Sequence, residues 1–179
     1  MKIFGIAGSN SSKSINEKLT KYALSLVNGI ETEYLDIKKL MVPIFGVDLE
    51  AEGGVPEEIK NLYAKLREAD GLIISVAEHN GNLTVFFKNI LDWLSRYEGK
   101  YFEGKKVLLL GTSPGKGGAQ KAMAMMDRPI NYGGAELVAS FSLPSFSETT
   151  TSEVPFEIKD DNLKAGLIDA VNKLKESLD

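Results

Sequence analysis

The sequence has no cysteine and only one histidine, His79, among its 179 residues. The lack of cysteine excludes disulfides, thiolate metal ligands and cysteine nucleophiles. A single histidine cannot form a zinc site by itself, nor can it pair with a second histidine. The sequence therefore offers no basis for a metal centre, and it is compatible with the reducing conditions of a cytoplasm.

Long apolar runs and a strong charge of one sign are missing as well. No apolar segment approaches the roughly 20 residues that a membrane-spanning helix needs, and the apolar run after Lys2 is too short for a signal peptide. The net charge is −4 and there is no basic face, so binding to nucleic acid is not expected. We expect a soluble, cytoplasmic protein whose length and 43% hydrophobic content suit a single domain, residues 1–179.

Short apolar runs alternate with helical patterns along the chain, which indicates parallel strands covered on both faces. We predict strands at residues 3–7, 33–37, 71–77, 107–111 and 136–143. Helices are predicted at residues 16–26, 56–69, 85–96, 118–127 and 162–178, with loops at 38–55 and 144–160. Right-handed crossovers then give an α/β three-layer sandwich with a five-stranded parallel sheet of order 2-1-3-4-5. Its ligand crevice lies at the carboxyl ends of strands 1, 3 and 4.

The segment after the first predicted strand is rich in hydroxyl and amide side chains. Gly8 ends the apolar run, and before a helix begins the chain passes through Ser9, Asn10, Ser11, Ser12 and Ser14. A strand that runs into the exposed amides of a helix start forms an anion site. The segment matches neither the Walker A loop nor the GxGxxG dinucleotide pattern. A phosphate monoester is therefore the favoured ligand, and the alternative is a polar turn in which Ser14 caps the helix.

Two further loops fall at the same predicted edge of the sheet. The sequence EHNGN, residues 78–82, is able to line a planar heterocycle because Gly81 lets main-chain amides approach closely. The alternative is a plain turn, since Asn80-Gly81 is a common turn signal. The glycine-rich TSPGKGGAQ, residues 112–120, either presents amides that stabilise negative charge or forms a structural turn. Convergence of the three loops favours one composite ligand site.

The chain resembles the NAD(P)H-dependent FMN reductase family, which has a flavodoxin-like fold. Its GSNSSKSIN segment is similar to the family's GSxRxxSxN, with Ser11 where the family usually has arginine. Its EHNGNLTVFFKNILDWLSR segment is similar to PEYNxSxPxxLKNAIDWLSR, and the matching positions are Glu78, Asn80, Lys88, Asn89, Asp92, Trp93, Leu94, Ser95 and Arg96. The TSPGKGG segment falls where the family has its third flavin loop.

This resemblance implies an enzyme in which bound FMN passes hydride from NADPH or NADH to free flavin, a quinone or an azo compound. It implies that the FMN phosphate lies against Ser9, Ser11, Ser14 and Asn16. It places the isoalloxazine ring on the loops that contain Glu78, His79, Asn80, Gly81, Ser113, Gly117 and Gly118. No catalytic side chain is expected because the flavin performs the chemistry. A homodimer or homotetramer is also implied, in keeping with a helix 85–96 that is apolar on more than one face.

Two alternative functions stay open at this point. The first is a flavodoxin-like electron carrier that binds flavin without turning over NAD(P)H, although the TGNT pattern typical of the first flavodoxin loop is absent here. The second is a flavin-free phosphate-binding hydrolase or regulator on the same scaffold. Flavin binding and repeated turnover with NADPH distinguish the three functions.

Overall fold

A computed structural model describes residues 1–153 and 156–178. The strands are β1 (Lys2–Gly8), β2 (Glu31–Tyr34), β3 (Gly71–Val76), β4 (Glu78–His79), β5 (Asn82–Leu83), β6 (Lys106–Thr112) and β7 (Glu136–Leu143). The α-helices are α1 (Ile15–Ser25), α2 (Val47–Gly53), α3 (Glu57–Arg67), α4 (Val85–Tyr97), α5 (Gln120–Met125), α6 (Asp127–Tyr132), α7 (Phe146–Thr149) and α8 (Asp161–Glu176). A 3-10 turn covers Ile37–Lys39.

The central sheet is parallel and has the order β2-β1-β3-β6-β7, which confirms the predicted order 2-1-3-4-5. Its register brings three strand ends level with one another. Gly8 at the end of β1 pairs with Val76 of β3, and Val76 pairs with Gly111 of β6. The loops that follow these three strands therefore start side by side, at the edge where an open α/β sheet forms its ligand crevice.

Two separate hydrophobic clusters lie on the two faces of the sheet, which confirms the three-layer architecture. Alternate side chains of each strand enter opposite clusters, as the pleat requires. In β1, Phe4 enters the cluster under α3, α4, α5 and α6, whereas Ile3 enters the cluster under α1 and α8. In β3, Leu72 and Ile73 divide in the same way. Helices therefore cover both faces of the central strands, and the ends of these strands lead into the loops.

Several predicted boundaries were wrong for physical reasons. Strand β2 lies two residues earlier than predicted because Leu35 and Ile37, which looked like strand residues, are buried after the strand ends. The predicted helix 118–127 begins two residues later, as α5, because Gly118 and Ala119 have positive φ angles of 54° and 62°. It ends at Met125, and a second short helix, α6, follows. Pro129 in the first turn of α6 has no N–H to donate to the carbonyl of Met125, so the two do not continue as one helix.

The predicted loops also contain structure of their own. Segment 38–55 includes α2, and segment 144–160 includes α7 and a bridge between Thr150 and Ile158. The EHNGN segment forms a β-hairpin of β4 and β5. These elements are short and largely exposed, so they carry no long periodic pattern from which to predict them. Within the described residues, every helix is too short or too polar to cross a bilayer.

Candidate functional site

A cleft of about 300 Å³ opens at the carboxyl ends of β1, β3 and β6. It brings together seven of the predicted site residues, namely Ser9, Ser11, Ser14, Asn16, Glu78, His79 and Ser113. Five further residues that were not predicted as site residues also line it, namely Lys13, Ile15, Ala77, Thr112 and Pro114. Each of those five lies next to or within one of the three loops. Their closeness in sequence to these loops is the feature from which they could have been predicted.

The hydroxyl groups of the first loop are arranged as donors toward this cleft. The Oγ atoms of Ser9 and Ser11 each accept the backbone N–H two residues later, at 3.3 and 3.2 Å. Ser14 caps α1, since its Oγ accepts the N–H of Glu17 at 3.1 Å. An oxygen that accepts from the main chain leaves its own O–H free to donate elsewhere. The first two N–H groups of α1 also have no intrahelical acceptor. Together these groups suit an anion at the helix start.

Asn16 has both polar atoms of its side-chain amide, Oδ1 and Nδ2, hydrogen-bonded to protein atoms. Its Nδ2 donates to the carbonyl of Thr112 at 3.1 Å, and its Oδ1 accepts the N–H of Thr112 at 3.1 Å. The same Oδ1 accepts the hydroxyl of Ser75 at 2.8 Å. Asn16 is 2% exposed, so it ties α1 to the ends of β3 and β6. What it still offers to a ligand is the second N–H of Nδ2 and its backbone N–H in the first turn of α1.

Glu78 joins the second loop to the third. Its carboxylate Oε2 accepts the backbone N–H groups of Lys121 and Ala122 at 3.0 and 3.2 Å. Helix α5 starts after Ala119, which has no side-chain cap of its own, so Glu78 satisfies the orphan donors of that helix from a distance. The hairpin and α5 are therefore held together by a charged hydrogen-bonded contact.

The tip of the hairpin is a two-residue turn. Asn80 and Gly81 both have positive φ angles, 53° and 74°, which is the type I′ conformation that Asn-Gly favours. His79 is exposed and lines the 300 Å³ cleft as well as a neighbouring cleft of about 510 Å³. Asn80 lines only the second of these two clefts. The hairpin thus forms the wall between the two clefts, with His79 on both sides.

The third loop is fixed by the end of β7 and by the residues that follow it. Backbone carbonyls of Ser113 and Gly115 accept the N–H groups of Phe146 and Ser145 at 3.0 and 2.9 Å. The Gly118 carbonyl accepts the hydroxyl of Ser142 at 2.8 Å. The Gly118 N–H points back to the Gly115 carbonyl at 3.3 Å. Gly117 is exposed, so its amide lies at the surface of the loop.

The residues of α4 that matched the family pattern mainly hold neighbouring segments in place. Trp93 Nε1 and Asn89 Nδ2 both donate to the carbonyl of Pro43, at 2.8 and 3.0 Å. Asn89 Oδ1 also accepts the N–H of Phe45 at 2.8 Å. Segment 43–45 forms part of the wall of the 510 Å³ cleft through Phe45 and Ile44. This motif therefore shapes a cleft beside the hairpin without contributing to the cleft at the helix start.

The sequence profile of a family described as NADPH-dependent FMN reductase matches residues 1–151, which span all three loops and α4. The chain belongs to this family. The family resemblance predicted from the loop motifs is confirmed. The match ends before α8, which packs on the far face of the sheet, so the residues of the cleft all lie inside the matched region.

Similar proteins include both curated sequences and solved structures. An NADPH:quinone oxidoreductase of Arabidopsis thaliana is 30% identical over 124 residues, covering 67% of this chain and 62% of the relative. A quinone reductase of Escherichia coli strain K12 is 36% identical over 80 residues, covering 44% of this chain and 43% of the relative. The matched stretches thus span about half the length of these curated relatives.

One solved structure superposes on nearly the whole chain of this FMN reductase family member. It is the flavoenzyme NAD(P)H:(acceptor) oxidoreductase FerB from Paracoccus denitrificans, with a TM-score of 0.77 and 26% sequence identity. The superposition covers 99% of this chain and 96% of FerB. The flavodoxin-like fold class predicted from the sequence is confirmed.

Proposed function

We propose that this protein binds FMN in the cleft at the carboxyl ends of β1, β3 and β6 and uses it to transfer electrons from NAD(P)H to a small-molecule acceptor. The observation that carries the proposal is the convergence of three loops on one cleft, with hydroxyl and helix-start donors gathered on one side. Membership of the FMN reductase family supports the same cofactor. NAD(P)H belongs to the cell interior, so we propose a cytoplasmic location.

The donor set fits the phosphate of FMN. The hydroxyls of Ser9, Ser11 and Ser14 and the first-turn amides of α1 all donate, as a phosphate requires. Glu78, the carboxylate that lines the cleft, is turned to the N–H groups of α5, which offsets its charge toward a bound anion. FMN, when bound, supplies the hydride chemistry.

The other two loops would orient the ring system. The hairpin residues Glu78 and His79 and the third-loop residue Ser113 line the same cleft as the start of α1. His79 is positioned to donate a hydrogen bond at the edge of the ring, and exposed Gly117 offers a main-chain amide on the third loop. Because both loops are fixed by backbone hydrogen bonds, they present these groups without reorganisation, which is the condition for effective electrostatic stabilisation.

Quinones are the acceptor class that the relatives support best, since the curated relatives in Arabidopsis thaliana and Escherichia coli are named for quinone reduction. The test is steady-state oxidation of NADPH by the FMN-loaded protein in the presence of a soluble quinone. We expect many turnovers per protein. Flavin binding with a single turnover would indicate an electron carrier instead. No change in the flavin absorbance bands on adding micromolar FMN would indicate a flavin-free protein.

The contribution of the first loop is testable by removing one hydroxyl. Replacing Ser14 by alanine is expected to weaken FMN binding by about 1 kcal/mol or more, because a hydrogen bond to a charged phosphate is lost together with the cap of α1. Titration by quenching of flavin fluorescence measures the change. The matched control is Ser12→Ala, which removes an exposed hydroxyl of the same loop outside the cleft and is expected to leave the affinity unchanged. An unaltered affinity in the Ser14 variant would remove this residue from the site.

We also propose a homodimer or homotetramer. Four apolar side chains at the start of α4, at the start of α2 and in the segment before α2 are strongly exposed, namely Met41 (83%), Ile44 (75%), Val47 (72%) and Val85 (71%). Ile44 and Val85 line one cleft, so at least these two belong to one surface. Exposed apolar patches of this kind favour association. Sedimentation velocity of the purified protein measures the assembly directly, and a monomer at micromolar concentration would contradict the proposal.

A further inference from the structure

Glu17 places a negative charge one helical turn from the residue that caps α1. It is the third residue of that helix, and its N–H is bound by Ser14 Oγ. In a capping box a glutamate at this position would accept the N–H of the cap residue. Here the N–H of Ser14 donates to the carbonyl of Ser11 at 3.3 Å, and the Glu17 carboxylate is directed elsewhere. Glu17 therefore belongs to the first turn of the helix whose start forms the proposed phosphate site, and its carboxylate takes no part in capping that helix.

Two lysines compensate this charge. Lys21 Nζ lies 2.7 Å from Glu17 Oε1, and Lys38 Nζ hydrogen-bonds Glu17 Oε2. Burial alone raises the pKa of the Glu17 carboxyl, but the hydrogen bonds from the two lysines outweigh burial and lower its pKa. Glu17 is accordingly ionised at neutral pH, and it depends on its partners for neutralisation.

Lys38 is the better shielded of the two partners. Its side chain is 20% exposed, that of Glu17 is 15% exposed, and that of Lys21 is 54% exposed. Pairs that are withdrawn from water are screened less by solvent and salt. Lys38 comes from the 3-10 turn Ile37–Lys39 that follows β2, so the fold brings it from a different element to the first turn of α1. The hydrogen bond to Glu17 raises the pKa of Lys38, which keeps the lysine charged as well.

We propose that Lys38 is a positioning residue for the phosphate end of the flavin site, which acts by holding and neutralising Glu17 so that its carboxylate does not repel the bound phosphate. This inference rests on the proposed function, because it requires the FMN phosphate to lie at the start of α1. Its consequence is selectivity. Lys38 strengthens the binding of the phosphorylated flavin, FMN, and has little effect on riboflavin, which has the same ring and no phosphate.

The test compares the affinity for FMN and for riboflavin in Lys38→Met and wild-type protein, by quenching of flavin fluorescence. Lys38→Met leaves the Glu17 carboxylate, in the first turn of α1, with the exposed Lys21 as its remaining partner, and is expected to lower FMN affinity about fivefold to tenfold and riboflavin affinity less than about twofold. Adding Glu17→Gln to the Lys38 variant removes the repelling charge and restores FMN affinity to within about twofold of wild type. Lys38→Arg keeps the charge and is expected to bind FMN as wild type does.

A matched control is the adjacent residue Lys39, which is 82% exposed and pairs with Asp36. Lys39→Met is expected to leave both affinities unchanged. Equal losses of FMN and riboflavin affinity in Lys38→Met, or a failure of Glu17→Gln to restore FMN binding, would overturn the inference.

Glu17→Gln alone provides a second route if the Lys38 variant does not fold, since it is expected to raise FMN affinity. A lower affinity in that variant would contradict the inference. Wild-type protein that binds no flavin would instead contradict the proposed function.

Discussion

Replacing Gly8 by alanine is expected to lower the free energy of unfolding by about 2 kcal/mol, because the new methyl group has no space. A Cβ at this position would lie 2.7 Å from Cγ and 2.8 Å from Cδ1 of the Phe87 ring. That ring is 2% exposed and lies in the core cluster under α4, so it cannot swing into solvent. The backbone of β1 would have to move, and the Gly8 carbonyl would then lose the hydroxyl of Thr84, which donates to it at 2.9 Å.

Urea denaturation followed by circular dichroism measures this loss. Phe87→Leu in the Gly8→Ala background is expected to recover part of it, since the smaller side chain relieves the contact, and the double-mutant cycle isolates the coupling between the two positions. The control is Gly53→Ala at the end of α2, where an added Cβ meets no atom within 4 Å. That variant is expected to be neutral or slightly more stable. A Gly8 variant as stable as wild type would mean that Phe87 has room to move.

The parts of the fold that the sequence predicted are those with a long, regular pattern. Strands β1, β3 and β6 are buried on both faces, so each leaves a near-continuous apolar run. A threonine directly before the predicted helix 85–96 is a typical cap, and the Oγ1 of Thr84 does accept the N–H of Phe87 at 3.1 Å. Strand β2 has no buried residue, and its position was missed for that reason. An exposed edge strand is held by main-chain pairing, which leaves no trace in side-chain polarity.

The location of the site was predictable from the sequence, but the roles of its individual residues were not. The polar residues that follow the first, third and fourth strands of the predicted sheet, which are β1, β3 and β6, were sufficient to predict a cleft formed by several loops. Asn16 and Glu78 look equally suited to contact a ligand in the sequence, yet both have side chains committed to distant backbone groups. The partners of these side chains are 96 and 43 residues away, and no local pattern reports such contacts. The assignment of individual residues to FMN, and of the whole chain to one domain, stays a prediction.

The amide of Asn16 is expected to be the most sensitive side chain of the site. Replacing it by alanine removes three hydrogen bonds and leaves the N–H and carbonyl of Thr112 and the hydroxyl of Ser75 without that partner. All of these groups are buried. An unsatisfied buried group costs about 1 to 3 kcal/mol, so we expect a loss of about 3 kcal/mol in the free energy of unfolding. FMN affinity falls too, because the relative positions of the first and third loops are no longer fixed.

Asn16→Asp is the sharper variant, because it keeps the shape of the side chain and changes one donor into an acceptor. At neutral pH the introduced carboxylate faces the Thr112 carbonyl, which the Nδ2 of asparagine now contacts at 3.1 Å, and it is buried beside the proposed phosphate site. Burial and this carbonyl raise the pKa of that carboxyl in the folded state above its unfolded value. The unfolding free energy is therefore lower at neutral pH and recovers as the pH falls toward the unfolded-state pKa of about 3.9, when the protonated acid donates to Thr112 again.

The control for this charge is Asn10→Asp, which introduces the same carboxylate at an exposed position of the same loop. Its unfolding free energy is expected to stay within about 0.5 kcal/mol of wild type at both neutral and acidic pH, since an exposed group remains solvated. A loss of stability in Asn16→Asp that does not depend on pH would contradict the hydrogen-bonding role of Asn16. If Asn16→Asp instead weakened FMN binding with stability intact, the side chain would act on the phosphate and not as the tie between α1, β3 and β6. The two measurements together therefore separate a residue that builds the cleft from one that binds in it.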